Sequence, residues 1–332
     1  MHQTINAGIL GVGMALPDRI VTNADIEKLV ETNDEWIVSR TGIRERRVSR
    51  PDETVSTLGL TAAQRALEDA GLQPSDIDLV LCCTTYGDYV WPATACLIQD
   101  QIGAKRAAAF DLSAACSGFV YGMTTASAMI QAGIMRHVLL VGADTLTKQI
   151  DWSDRNTCVL FGDGAGAVVL GPCGPTDGVL ASALHADGSG AELIYVPGGG
   201  AKAPLTHDAI DAKLQYISMH GAEVFKFAVK IMGEVCLEAL AKADLTAADV
   251  SLFIPHQANI RIIKAAADRM GLPPEKVVIN VQNYGNTSAA TIPIALAEAK
   301  EAGRINKGDL LVFVGFGAGL TWGANVVRWI ID

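Results

Sequence analysis

Short apolar runs punctuate the chain: LVLCC (79–83), AAFDL (108–112), HVLLVG (137–142), AGAVVLG (165–171), SLFIP (251–255) and LLVFVG (310–315). Continuous rather than alternating hydrophobicity predicts strands covered on both faces. Between these runs, residues 57–71 (TLGLTAAQRALEDAG) and 224–243 (VFKFAVKIMGEVCLEALAKA) carry the spacing of helices. The pattern predicts an α/β protein in which two mixed sheets sandwich buried helices and further helices lie outside. Residues 112–135 form a stretch of 24 without a charge, long enough to span a bilayer. Its Ser, Thr and Gly content, Gln131 and strand-like flanks predict instead a helix buried on all sides of a soluble protein.

The chain also repeats itself. ALEDAGLQPSDIDLVLCC (66–83) aligns without a gap with ALAKADLTAADVSLFIPH (239–256), at an offset of 173. Ala132-Gly133 before one strand matches Ala302-Gly303 before another, at an offset of 170. Two diverged copies of one α/β unit are expected, divided as 1–174 and 175–332. The first offset makes Cys83 the counterpart of His256; the second makes Cys116 the counterpart of Asn286. Features near the axis of such a duplication converge, so Cys116, His256 and Asn286 are candidates for one site.

Composition narrows the function. Half of the 332 residues are hydrophobic, which excludes disorder, and the net charge of −10 excludes a protein that wraps nucleic acid. Seven scattered cysteines do not form a disulfide framework. The first residues lack the basic region of a signal peptide, so a cytoplasmic location is expected. No CxxC pair or close His/Asp/Glu cluster suggests a metal. GVGMAL (11–16), GDGAGA (162–167) and GFGAGL (315–320) depart from nucleotide fingerprints, and their glycines are read as tight turns and close backbone approaches.

Among the cysteines, Cys116 stands out. It sits where a strand ends and the uncharged helix begins, a position whose unpaired N–H groups and dipole favour thiolate. Small neighbours from Ser113 to Gly118 allow close approach to its sulfur. The other six cysteines are expected to pack in the core. His256, at a strand end in FIPHQAN, and Asn286, in NYGNTSAA, are the accompanying polar groups.

With these residues aligned, the chain resembles the thiolase-superfamily condensing enzymes, and within them β-ketoacyl-[acyl-carrier-protein] synthase III. The likeness runs nearly end to end: NDEWIVSRTGI (33–43), the Cys116 segment, DRNTCVLFGDGAGA (154–167), HGAEVFKFAV (220–229), PHQANIRI (255–262), YGNTSAA (284–290) and FGAGLTWG (316–323). It implies a thiolase-like five-layer α-β-α-β-α sandwich with pseudo-twofold halves, the first carrying the nucleophile and the second the His and Asn. It further implies that Cys116 takes an acyl group from acyl-CoA and that His256 and Asn286 donate to the enolate oxygen formed when malonyl-ACP (acyl carrier protein) loses carbon dioxide. A neutral histidine tautomer would suffice for that donation. The backbone N–H groups of Cys116 and Ala318 would hold the oxyanion.

The same resemblance assigns binding residues. Trp36 and Arg155 would sandwich the CoA adenine, Arg40 would meet a phosphate, and Phe225 and Asn259 would line the pantetheine tunnel. Lys226, Gln257 and Arg261 would face the carrier protein, with Lys264 and Arg269 as outlying basic residues. Trp91 would reach across a homodimer to close the partner's acyl pocket and favour acetyl-CoA as primer. No cofactor is implied. Alternatives are a type III polyketide or alkylquinolone-like synthase that takes CoA extenders, and a non-catalytic acyl-binding dimer.

Overall fold

The computed structural model describes residues 5–332. Its first sheet has five strands in the spatial order Asn6–Ala15, Asp163–Cys173, Val138–Thr145, Leu79–Cys83, Ala108–Leu112. The second sheet has four: Gly178–Ala186, Thr321–Arg328, Leu310–Gly317, Leu252–Pro255. The two orders are the same walk, position by position. The fifth position of the second sheet is reduced to a single bridge between Phe253 and Val277. The expected boundary at 174/175 falls in the link between Cys173 and Gly178, where the chain passes from one sheet to the other.

Strand alternation builds the layers, because successive side chains leave opposite faces of a sheet. Val80, Val141 and Val169 meet Leu58, Ala62 and Ile98 from the outer helices Val55–Ala70 and Thr94–Ile102. Their neighbours Leu81 and Leu140 turn inward onto Phe119, Met123 and Ile292 of the central helices Gly118–Gln131 and Thr291–Glu301. On the second sheet Phe313 faces that same centre. Val312 and Val326 face the far helices Gly221–Lys242 and Ile260–Met270. The result is the expected five-layer α-β-α-β-α sandwich.

The repeat is visible in detail. The turn Pro74–Asp76 precedes Leu79–Cys83, and Ala247–Asp249 precedes Leu252–Pro255, each at the offset of 173. Asp76 and Asp249 each accept a backbone N–H three residues back, both at 2.8 Å. Where the central helices begin, the offset is also 173: Gly118 corresponds to Thr291. The positive φ of Ala115, 48°, recurs at Ser288, 53°. This corrects one expectation, since the counterpart of Cys116 is Ala289 rather than Asn286. The offset of 170 arises farther on, because the first central helix has 14 residues and the second only 11.

Three other expectations are revised. The central helix Gly118–Gln131 is not buried on all sides, since Tyr121, Thr124 and Thr125 are half-buried and Ala128 is exposed. Among the described residues no helix is long and apolar enough to cross a membrane. Apart from Gly162, the glycines of GVG and GDGAGA lie within strands, not turns. A Cβ at Gly11 or Gly13 would strike the carbonyls of Ala66 or Ala62, so bare glycine lets the outer helix lie against the first strand. Finally, Cys96 is exposed rather than packed, whereas Cys82, Cys83, Cys158 and Cys236 are buried.

Candidate active site

A cavity of about 710 Å³ opens between the halves, with Cys116, His256, Asn286, Phe316 and Gly317 in its wall. Cys116 stands in the short turn Ala115–Ser117 that leads into the first central helix. Its sulfur is buried, and burial pushes the thiol up to about 12, against the pull of the neighbouring Ser288 hydroxyl. Burial therefore works against the helix terminus, which by itself favours the thiolate.

His256 follows Leu252–Pro255, and its backbone N–H donates to Val314 O at 2.8 Å on the adjoining strand. The ring packs edge-on against Phe316, 5.4 Å between centroids. Burial pulls the imidazole down to about 3, so it is neutral. Nδ1 lies 2.6 Å from Thr291 Oγ1, while Nε2 is buried with no partner. Asn286 is clamped at both backbone ends: its N–H donates to Leu160 O at 2.9 Å and its carbonyl accepts from Gly162 N–H at 3.0 Å. Its Oδ1 accepts from Ser288 N–H at 2.8 Å, which commits the oxygen and leaves the NH₂ as the free end of the amide.

The duplication explains the bareness around Cys116. At the offset of 173, Gly315 matches Gly142 and Gly317 matches Asp144. A Cβ on Gly142 would strike the Ala289 carbonyl, and one on Gly315 would lie 3.3 Å from the Cys116 carbonyl. Each half thus seats its tight turn on a glycine of the other half's strand. On the first half's strand, the Asp144 carboxyl group accepts from Ala289 N–H at 3.3 Å and from Thr85 N–H at 2.8 Å. The equivalent Cys116 N–H faces Gly317, where a Cβ would come within 2.6 Å of the nitrogen. A carboxyl group fills one pocket, and the other is kept open by glycine. Ala318 follows in the hairpin turn. The Thr321 hydroxyl lies 3.0 Å from the carbonyls of both Ala114 and Ala318, tying that turn to the nucleophile loop.

Most of the remaining expected residues line the same cavity. Trp36, Arg40, Phe225, Lys226, Asn259 and Arg261 are in its wall. Asn259 caps the helix Ile260–Met270 by accepting from Arg261 N–H, and its amide donates to Arg40 O at 2.9 Å. The Arg261 guanidinium rests on Phe225, 4.8 Å from the ring centre. Arg155 lies 4.3 Å over the Trp36 ring, so the two are in direct contact and a base enters only if they part. Trp91 is 82% exposed on the surface. Gln257 is a correction. It is 1% exposed, its amide donates to Pro255 O and Val278 O, and its oxygen accepts from Asn280 and Val281 N–H. It braces the His256 loop and cannot face a carrier protein. Sequence reasoning missed Ser288, Thr291, Asp144 and Gly317, although the offset of 173 carried to Cys116 would have found Gly317. Among the described residues there is no group of three or more metal-ligating side chains.

The architecture and the site define a condensing enzyme of the thiolase fold. The crystal structure of 3-oxoacyl-[acyl-carrier-protein] synthase III from Aquifex aeolicus VF5 superposes with a TM-score of 0.90 at 46% identity, covering 97% of this chain and 100% of the other. Residues 110–188 match the family 3-oxoacyl-[acyl-carrier-protein (ACP)] synthase III, and residues 240–329 match its C-terminal region. β-Ketoacyl-[acyl-carrier-protein] synthase III of Desulfitobacterium hafniense is 53% identical over 325 residues, 98% of each chain. The counterpart in Caldanaerobacter subterraneus subsp. tengcongensis is 51% identical over 329 residues, 99% of each. The chain belongs to the β-ketoacyl-[acyl-carrier-protein] synthase III family of acyltransferases.

Proposed function

We propose that this enzyme condenses a short acyl-CoA, acetyl-CoA in the first instance, with malonyl-ACP to give 3-oxoacyl-ACP, carbon dioxide and CoA, the opening step of fatty acid synthesis. The observation that carries the reading is the pairing of a cavity-lining Cys116 with a glycine-bared backbone N–H beside it. In the first half-reaction Cys116 attacks the thioester and holds the acyl group. The Cys116 and Ala318 N–H groups receive the oxyanion. In the second, the free NH₂ of Asn286 meets the enolate oxygen as malonyl-ACP decarboxylates, with His256 beside it. One half of the chain supplies the nucleophile, the other the polar pair.

Trp36 and Arg155 would take the adenine, Arg40 a phosphate, and Phe225 and Asn259 the pantetheine. Lys226 and Arg261 give the cavity wall a positive edge on a body of charge −10, which suits an acidic carrier protein. A second copy of the chain would cover the exposed Val90 and Trp91 and pair with the free edge of Ala108–Leu112. The proposed chemistry needs no cofactor, and we place it in the cytoplasm. Mass spectrometry after mixing with acetyl-CoA tests the assignment. An acetyl adduct on Cys116 that malonyl-ACP, but not malonyl-CoA, discharges is the expected result. Absence of the adduct overturns the reading, and discharge by malonyl-CoA points to a synthase of CoA extenders.

A further inference from the structure

Arg46, in the short strand Glu45–Arg47, is fully buried. Burial pulls its guanidinium down only to about 10, so it stays a cation inside the core. None of its hydrogen-bond partners is a carboxylate: Nη1 donates to Val21 O at 3.2 Å and to Asn23 Oδ1 at 2.9 Å, and Nη2 donates to Val159 O at 2.9 Å. A buried cation without an acid beside it is a cost to the fold. What its planar fork supplies is a fixed spacing between three chain segments, which the point charge of a lysine does not reproduce.

Those segments lead to two working ends of the cavity. Val159 ends the helical turn Arg155–Cys158, whose Arg155 lies over Trp36. The residues that follow hold Asn286, with Leu160 O accepting its N–H and Gly162 N–H donating to its carbonyl. Gly285 packs on the same arginine, since a Cβ there would lie 3.3 Å from Arg46 Cβ. In the other direction, the Asn23 amide that accepts from Arg46 donates to Asp34 Oδ1 and to Ile43 O, both at 2.8 Å. Asp34 opens the helix Asp34–Thr41, which carries Trp36 and Arg40.

We propose that Arg46 is a positioning residue that holds the Asn286 amide and the Trp36–Arg155 pair in one frame, so that discharge by malonyl-ACP and binding of CoA both depend on a side chain outside the cavity wall. This rests on the function proposed above. The Cys116 turn is seated by other contacts, on Gly315 and through Thr321, so attack on the thioester depends on Arg46 far less.

The test separates the half-reactions in Arg46→Lys, which keeps the charge and loses the fork. Discharge of the isolated acetyl-enzyme by malonyl-ACP should slow about 10- to 100-fold, and acylation of Cys116 at saturating acetyl-CoA less than about threefold. The Kd for CoA, measured by calorimetry, should rise several-fold. In an Asn286→Ala background the same change should slow discharge no further, because its effect passes through that amide. Losses that multiply overturn the proposal, as does equal slowing of acylation and discharge. Asn23→Ala removes the link to Asp34 and leaves the fork on Val159, so it should raise the Kd for CoA but slow discharge less than Arg46→Lys does. If Arg46→Lys fails to fold, Asn23→Ala decides, and an unchanged Kd for CoA overturns the frame. Absence of an acetyl adduct on wild-type Cys116 sinks the enzymatic assignment itself rather than the role of Arg46.

Discussion

Asp144 and Gly317 occupy the same position in the two halves of the chain, and they do opposite things with it. Asp144 brings a carboxyl oxygen to the Ala289 N–H, whereas Gly317 brings nothing to the Cys116 N–H. The filled pocket is a template for the open one: its carboxyl oxygen marks where a substrate oxyanion would sit in the other half. Gly317→Ala should therefore place a methyl against the Cys116 nitrogen and lower acyl transfer by about 10²-fold or more, the scale of losing one oxyanion donor. The rate of CoA release on mixing with acetyl-CoA measures this, and a rate within about twofold of wild type would refute the open-pocket reading.

The buried thiol makes a second expectation. With Cys116 held up at about 12, its thiolate fraction is small at neutral pH and grows as pH climbs toward that value. Iodoacetamide alkylation of Cys116 should still be accelerating between pH 9 and 10, where an ordinary thiol of pKa ≈ 8.5 has levelled off. A plateau for Cys116 below pH 9 would show that the helix terminus wins over burial.

Removing the Asn286 amide should split the two half-reactions. Asn286→Ala deletes the free NH₂ but leaves Cys116, its N–H and Gly317 in place. The acetyl adduct should form at close to the wild-type rate, while its discharge by malonyl-ACP slows about 10²- to 10³-fold. Equal slowing of both steps would mean that Asn286 serves the shape of the site rather than the enolate.

Much of this was legible in the chain, and the exceptions have physical causes. Buried strands announce themselves by unbroken apolar runs, so 79–83 matches the observed strand residue for residue; 108–112 matches too, although Asp111 interrupts its run and it lies half-buried at the sheet edge. Asn6–Ala15 and Thr321–Arg328 did not, because glycines needed for close packing dilute their strand signal. Cys116, His256 and Asn286 stand out as unusual residue types at strand and helix junctions. Ser288 and Thr291 do not, since a hydroxyl acts through a hydrogen bond whose partner lies far along the chain. Gln257 misled for the converse reason: an amide beside a site reads as a contact until its four hydrogen bonds are seen to be spent inside.

Carrier recognition should respond to charge. Arg261 lies on Phe225 at the cavity wall, so Arg261→Glu reverses a charge without removing a core side chain. KM for malonyl-ACP should rise several-fold more than KM for acetyl-CoA, and salt should raise the wild-type KM for malonyl-ACP as it screens the patch. Parallel changes in the two constants would remove Arg261 from the docking surface.

The contact of Arg155 with Trp36 gives CoA binding an optical signature. A base that displaces the guanidinium replaces a cation–π contact by ring stacking. Indole emission should change saturably with CoA, and Trp36→Phe should abolish the change while the other four tryptophans remain. A signal that survives Trp36→Phe would place the adenine elsewhere.

The reciprocal seating of the two tight turns, Ala289 on Gly142 and Cys116 on Gly315, has a consequence for how the enzyme matures. Neither half of the chain owns its own centre: the nucleophile of one is shaped by the strand of the other. Each half could collapse around its own sheet and still be inert. Activity would then appear only when the halves close on one another, as the last event of folding and the first casualty of mild denaturation. The onset of turnover during refolding would be a clock for that docking rather than for secondary structure.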